Sequence, residues 1–204
     1  CRLAALPSVA AYILPKALAA FQRRYPAVEV QLMESVQSQL LEWVQQGIVD
    51  FSIIALPVHD PHLQSSSLLH DEFVLVVPKD HAFASRRIVR LAELATERFI
   101  FYPKGAGGRE QFIEACHQAG FEPQVAFESE DRETMLGLVA AGVGITFLPR
   151  IIAQHTRVDG PVTIDIVEPR LRREVGVVWR RNRYLPQSAR NLITLLEDVV
   201  RNPL

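Results

Sequence analysis

One phrase occurs twice in this chain. Val44-Gln45-Gln46-Gly47 leads through an apolar run to Leu56-Pro57, and Val139-Ala140-Ala141-Gly142 leads through another to Leu148-Pro149. Each predicts an amphipathic helix stopped by glycine, then a buried strand stopped by proline. The segments ahead of the phrases also match. Residues 14–30 read as helix, a Tyr25-Pro26 turn and a strand; residues 109–127 read as helix, a Gly120-Phe121-Glu122-Pro123 turn and a strand. Two similar α/β halves in 204 residues predict two lobes with a cleft between them, and small ligands bind in such clefts.

Composition narrows the function classes. Hydrophobic residues make up 49% and charged residues 22%, enough for a real core. The net charge is -1, which argues against direct DNA binding by this chain, because such chains carry a basic surplus to displace counterions. The two cysteines, Cys1 and Cys116, form neither a zinc spacing nor a disulfide framework, so a reducing, cytoplasmic setting is expected. No apolar run reaches membrane-spanning length. The opening segment lacks the basic stretch of a signal peptide, and Pro7 and Pro15 break it. The chain reads as a fragment of a longer protein.

Periodicity assigns the elements. Strands are expected at residues 2–6, at Val28, Val30 and Leu32, and at residues 51–56, 73–77, 99–101, 145–148 and 175–179, with alternation at Val162, Ile164 and Ile166. Helices are expected from Leu14 to Tyr25, through Leu40, Leu41 and Val44, at residues 88–95, from Arg109, after Ser129, and from Leu192 to Val200. Ser38 and Ser129 read as N-caps, and residues 59–67 as loop. This alternation predicts parallel-rich sheets flanked by helices. The strand at 73–77 carries the chain into the second lobe and the strand at 175–179 returns it. Lobe one is therefore residues 1–71 and 175–204, and lobe two residues 72–174.

Each lobe offers loops that follow a strand and open a helix: Pro7-Ser8 and Gln37-Ser38 in the first, Lys104 to Arg109 and Ser129 in the second. Helix N-termini present unpaired N–H groups and partial positive charge, which suits a carboxylate or sulfate. Simple capping and chain turning is the competing account. His59-Asp60-Pro61-His62 reads as a solvated loop rather than a metal site. The Arg172-Arg173 and Arg180-Arg181-Asn182-Arg183 clusters read as solvated strand ends. Cys116 falls on the apolar face of its helix, and Glu128 and Glu130 read as a helix start. No nucleophile, acid/base or metal constellation is apparent, so no catalytic residues, metal or cofactor are expected.

Four stretches, taken in order, resemble the effector-binding domain of LysR-type transcriptional regulators. They are residues 14–30, residues 40–53 with their Gly47-Ile48-Val49-Asp50 phrase, residues 72–81 ending in Pro78-Lys79-Asp80-His81, and residues 138–149. The resemblance implies two Rossmann-like subdomains joined by two crossover strands, as in type 2 periplasmic binding proteins. It implies a small effector in the cleft, a helix-turn-helix DNA-binding domain outside this chain, and antiparallel pairing of two copies within a larger homotetramer. In that pairing the helix of Ala17 and Phe21 packs on the partner copy's helix of Ile113 and Cys116.

Family ligand contacts map onto Ser8, Gln37, Ser38, Tyr102, Lys104, Gly107, Gly108, Arg109 and Thr146. The peroxide-sensing branch places its reactive cysteine where Gly107 stands and a second where Cys116 stands. This chain keeps only the second, so the resemblance favours ligand sensing over a thiol switch. The expected function is an effector-sensing regulatory domain that takes a small anion. The alternative is the solute-binding protein of a transporter, for which Cys1 would suit a lipid-anchored start.

Overall fold

The computed structural model describes residues 1–105, 108–155 and 160–201. The chain divides into two compact units, Cys1–His70 with Arg173–Leu204 and Asp71–Arg172. It passes from the first to the second within one strand and returns within another.

In the first unit, β1 (Arg2–Ala5) lies between β2 (Gln31–Glu34) and β3 (Phe51–Leu56), parallel to both. The return strand β10 (Arg172–Arg180) pairs antiparallel with β3, and the outgoing strand β4 (Leu63–Val77) neighbours β10 in turn. β1 leads into α1 (Pro7–Tyr12) and then α2 (Leu14–Arg24), and both helices carry proline in their first turn, where a missing N–H costs nothing. β2 leads into α3 (Gln37–Gln46), whose Leu40 and Val44 bury against Ala4, Ile54 and Val178. α2 packs on α7 (Gln187–Arg201), which buries Ala189, Leu192 and Leu196.

Gly176 of β10 lies where side chains have no room. A Cβ there would meet Leu56 Cδ1 at 2.4 Å and the Ser66 carbonyl oxygen at 2.6 Å.

The second unit repeats the arrangement. β6 (Arg98–Phe101) runs parallel to β7 (Gln124–Glu128) on one side and bridges in parallel to Ile145 on the other, just before β8 (Thr146–Pro149). β6 leads to α4 (Arg109–Gln118) and β7 to α5 (Arg132–Ala140). The second half of β4 pairs antiparallel with β8 and with β9 (Val162–Val167), and β5 (Ile88–Arg90) extends that sheet beside β9. A short helix, α6 (Arg150–Ala153), follows β8. The core is aromatic: Phe112 stacks on Phe147 at 4.3 Å between centroids, and Phe73 meets Phe112 edge-on at 4.7 Å.

Four local expectations change. Residues 88–95 form β5 and a 3-10 turn (Leu91–Leu94), because β9 offers an open edge that overrides the apolar spacing. β4 begins at Leu63, inside the expected loop, since its first half is drawn in beside β10. β2 starts at Gln31 rather than Val28, because its register is fixed by Arg2 opposite Gln31. The caps also move. Val36, not Ser38, precedes α3, and Asp131, not Ser129, caps α5, its carboxylate accepting from Thr134 N at 2.8 Å.

Candidate functional site

In the first unit three side chains gather at the carboxyl ends of the parallel strands, where open α/β sheets receive ligands. Ser8 stands in the first turn of α1, directly after β1. Its Oγ accepts from Arg173 Nη2 at 3.2 Å. Gln37 opens α3, and its Oε1 accepts from Ala55 N at 3.1 Å, fixing the helix start to the end of β3. Arg173 reaches this end because β10 runs antiparallel to β3, with Glu174 opposite Leu56. Neither α1 nor α3 has a side chain bonded to its first-turn N–H groups; their caps are Leu6 and Val36. The result is a half-buried cluster of one cation, one hydroxyl and one amide beside uncapped helix starts. Ser38 is exposed on the first turn of α3.

In the second unit the corresponding positions are satisfied internally. Arg109 is buried, 7% exposed. Its Nη1 donates to the Tyr102 carbonyl and to Glu128 Oε1, both at 2.7 Å, and its guanidinium lies 5.7 Å from the Phe101 ring centroid. Its Nε is buried without a hydrogen-bond partner among the described residues. Gly105 N donates to Glu110 Oε1 at 2.7 Å, so a carboxylate of the chain already occupies the loop expected to cradle an anion. Thr146 is 1% exposed and donates its hydroxyl proton to the Ile100 carbonyl at 2.7 Å. Gly108 caps α4, Tyr102 is half-buried and Lys104 is exposed. Gly107 lies outside the described residues.

The cluster therefore differs from expectation in two ways. It contains Arg173, which sequence reading placed on a solvated strand end. The antiparallel register that carries it beside Ser8 leaves no mark in local spacing. In addition, Arg109 and Thr146 turn inward, to the Tyr102 carbonyl and Glu128 and to the Ile100 carbonyl.

The side chains expected at an interface between copies differ in exposure. Ala17, Phe21 and Cys116 are fully buried inside their own units, Phe21 beside Tyr25 at 5.0 Å between centroids. Only Ile113 of that group is partly exposed. A contact between copies through these helices would use their outer faces instead. Burial pushes the Cys116 thiol up to about 12, so it carries no thiolate at neutral pH.

Among the described residues no group of three or more His, Cys, Asp or Glu is placed to hold a metal ion. Asp60 of the His59–His62 loop is held instead by Gln45 Nε2 at 2.7 Å and by His62 N.

Two α/β units of like topology, with polar helix starts at the carboxyl ends of parallel strands, define a protein of the small-molecule-binding class. The chain belongs to a particular family: residues 1–201 match the model of the LysR substrate binding domain. It is 34% identical over 183 residues to the transcriptional dual regulator GltC of Bacillus subtilis, covering 89% of this chain and 61% of that protein. It is 31% identical over 185 residues to the DNA-binding transcriptional dual regulator OxyR of Escherichia coli, covering 88% and 61%. The chain thus spans about 61% of the length of these relatives. The C-terminal domain of a probable LysR family regulator from Rhodococcus superposes with a TM-score of 0.85 at 28% identity, covering 96% of this chain and 97% of that one. At 24% identity, the Synechocystis CcmR regulatory domain, solved with 2-PG, shares the fold with a TM-score of 0.89, covering 98% and 97%. The two-lobe effector-binding fold and the LysR substrate-binding class expected from the sequence are those found, and the transporter alternative finds no support in these relatives.

Proposed function

We infer that the chain is the effector-sensing domain of a LysR-type transcription regulator, taking a small anionic metabolite rather than sensing peroxide. The observation that carries this reading is the pairing of Arg173 with Ser8 beside uncapped helix starts in the first unit. A guanidinium, a hydroxyl and the start of α3, which no side chain caps, together suit a carboxylate or phosphate. The buried, protonated Cys116 supports ligand sensing, because a thiol switch needs an accessible thiolate.

The cluster offers no activated nucleophile and no acid/base pair, which supports a sensing rather than catalytic role. In the second unit, Tyr102, Lys104, Gly107, Gly108, Arg109 and Thr146 remain that unit's own candidate effector contacts in this reading. Arg109 and Thr146 would then serve by shaping the loop rather than by touching the effector.

In the whole protein, DNA contact falls to a segment outside this chain, and the regulator acts as a cytoplasmic homo-oligomer. Relatives that are DNA-binding and transcriptional regulators support this. Effector binding acts by its differential affinity for two arrangements of that assembly.

The test is a thermal-shift screen of small carboxylates and phosphates against this chain. A stabilising hit should bind at least about tenfold more weakly to Ser8→Ala with Arg173→Gln, and more weakly to Ser8→Ala with Ser38→Ala. Unaltered binding to both double variants, with the fold intact by circular dichroism, would remove the site assignment.

A further inference from the structure

At the other end of the first unit's sheet the charges are arranged differently. The amino ends of β1 and β3 meet the carboxyl end of β10 there, beside the glycine that ends α3. Gly47 has φ +72°, the left-handed conformation a helix C-cap favours. The guanidinia of Arg180 and Arg183 crowd against it: a Cβ would lie 2.1 Å from Arg180 Nη2 and 2.6 Å from Arg183 Nη1. Arg2 Nη2 lies 3.5 Å from the Gly47 carbonyl oxygen. One cation is enough to complement a helix C-terminus; three converge here. The carboxylate beside them, Asp50, accepts the Arg2 backbone N–H at 2.8 Å. Neither Arg180 nor Arg183 forms an ion pair among the described residues.

This cationic group is part of a hollow. Asp50, Trp179, Arg180, Arg183 and Tyr184 line a cavity of about 110 Å³. Past Tyr184 it adjoins a second of about 410 Å³, which Arg190 also lines. Tyr184 is 72% exposed, an unusual position for a large ring with nothing to cover it. Arg190 holds that ring from one side at 4.6 Å, and is itself fixed by donating Nε to the Leu185 carbonyl at 2.9 Å.

We propose that this hollow is a second ligand site, distinct from the Ser8–Arg173 cluster, for a small organic oxyanion that carries a flat ring. Paired guanidinia recognise a carboxylate or phosphate by bidentate hydrogen bonds. Tyr184 and Trp179 supply flat apolar surface for the ring. Occupation relieves the repulsion between two adjacent, unpaired cations, so the bound state gains what the empty state lacks.

Phenyl phosphate is the probe, with inorganic phosphate and phenol as its two halves, followed through the indole N–H resonance of Trp179. Phenyl phosphate should bind saturably and at least tenfold more tightly than either half. Arg180→Gln with Arg183→Gln should weaken it tenfold or more. Tyr184→Ala should bring it down to the level of inorganic phosphate. Ser8→Ala with Arg173→Gln should leave it unchanged. Absence of saturable binding, equal affinity in the double arginine variant, or loss of binding in the Ser8/Arg173 variant each overturns the proposal. If the double arginine variant does not fold, Arg183→Gln alone decides: its guanidinium is exposed, and unchanged affinity in that variant overturns the proposal equally.

Discussion

The two units build the same βαβαβ arrangement, with the first strand in the middle, and finish its polar end in opposite ways. In the second unit Asp131 caps α5, Glu110 occupies the loop before α4, and Glu128 neutralises Arg109. In the first, α1 and α3 start on Leu6 and Val36 with no side-chain cap, and Arg173 donates to Ser8 Oγ nearby. Shared topology thus fixes where donors converge, while a handful of side chains decides whether the chain uses them up or leaves them for something else. The first unit leaves two helix starts without side-chain caps; the second supplies carboxylates of its own.

The strongest way to break this contrast is to remove the internal cation. Arg109→Leu should cost about 2 kcal/mol in urea unfolding, because the half-buried Tyr102 carbonyl loses its donor and the partly exposed Glu128 its ion pair. Ser8→Ala, at the matching end of the first unit, should change stability by no more than about 0.5 kcal/mol. Similar losses in both variants would erase the distinction.

The two cysteines report on the units separately. Cys1 is half-buried in the first and Cys116 buried in the second. At pH 8 an alkylating reagent should label Cys1 in the native protein and leave Cys116 untouched until unfolding. The sign of the pH effect follows from burial. The folded thiol titrates near 12 and the unfolded one near 9.0, so above pH 9 the unfolded state holds fewer protons. Stability is intact below that pH and falls as pH rises from about 9 towards 12. Cys116→Ala should flatten this alkaline loss.

Exchanging the caps sharpens the comparison further. Asp131→Ala should cost about 1 kcal/mol. Val36→Asp should add a similar amount by capping α3, and should also weaken an anionic effector, since the new carboxylate takes the same N–H groups. A Val36→Asp variant that is more stable and binds its effector unchanged would show that α3 plays no part in recognition.

The smallest effect lies at Glu93. Hydrogen bonds from Arg86 and from the Arg90 N–H hold its carboxyl down to about 2, against an ordinary 4.5. Its stabilising contribution is present above the ordinary value and is lost as pH falls through about 2. The pair is exposed, so added salt should mute the difference between Glu93→Gln and the unaltered protein in acid titration.

The repeated phrase made the doubling legible, since Gly47 and Pro57, like Gly142 and Pro149, mark helix and strand ends that no packing can move. Buried strands such as Phe51–Leu56 announced themselves by composition. Edge positions did not: residues 88–95 carry helix-like spacing, yet their first three become β5, because β9 supplies a pairing edge from far along the chain. The site was half legible for the same reason. Ser8 and Gln37 follow their strands directly and are found by local reading. Arg173 arrives through the register of β10 on β3, which only the folded sheet reveals. Arg109 and Thr146 sit at the expected loop ends, but whether a side chain turns to solvent or to a carbonyl is decided by neighbours such as Glu128 and Ile100.

Gly176 has a reach beyond its own strand. A methyl group there would act as a wedge against Leu56 and the Ser66 carbonyl. The displaced strand end carries Ala55, whose N–H anchors the Gln37 amide. One added carbon would therefore loosen the grip of the first unit on the start of α3, reaching through a strand to a helix terminus it does not touch.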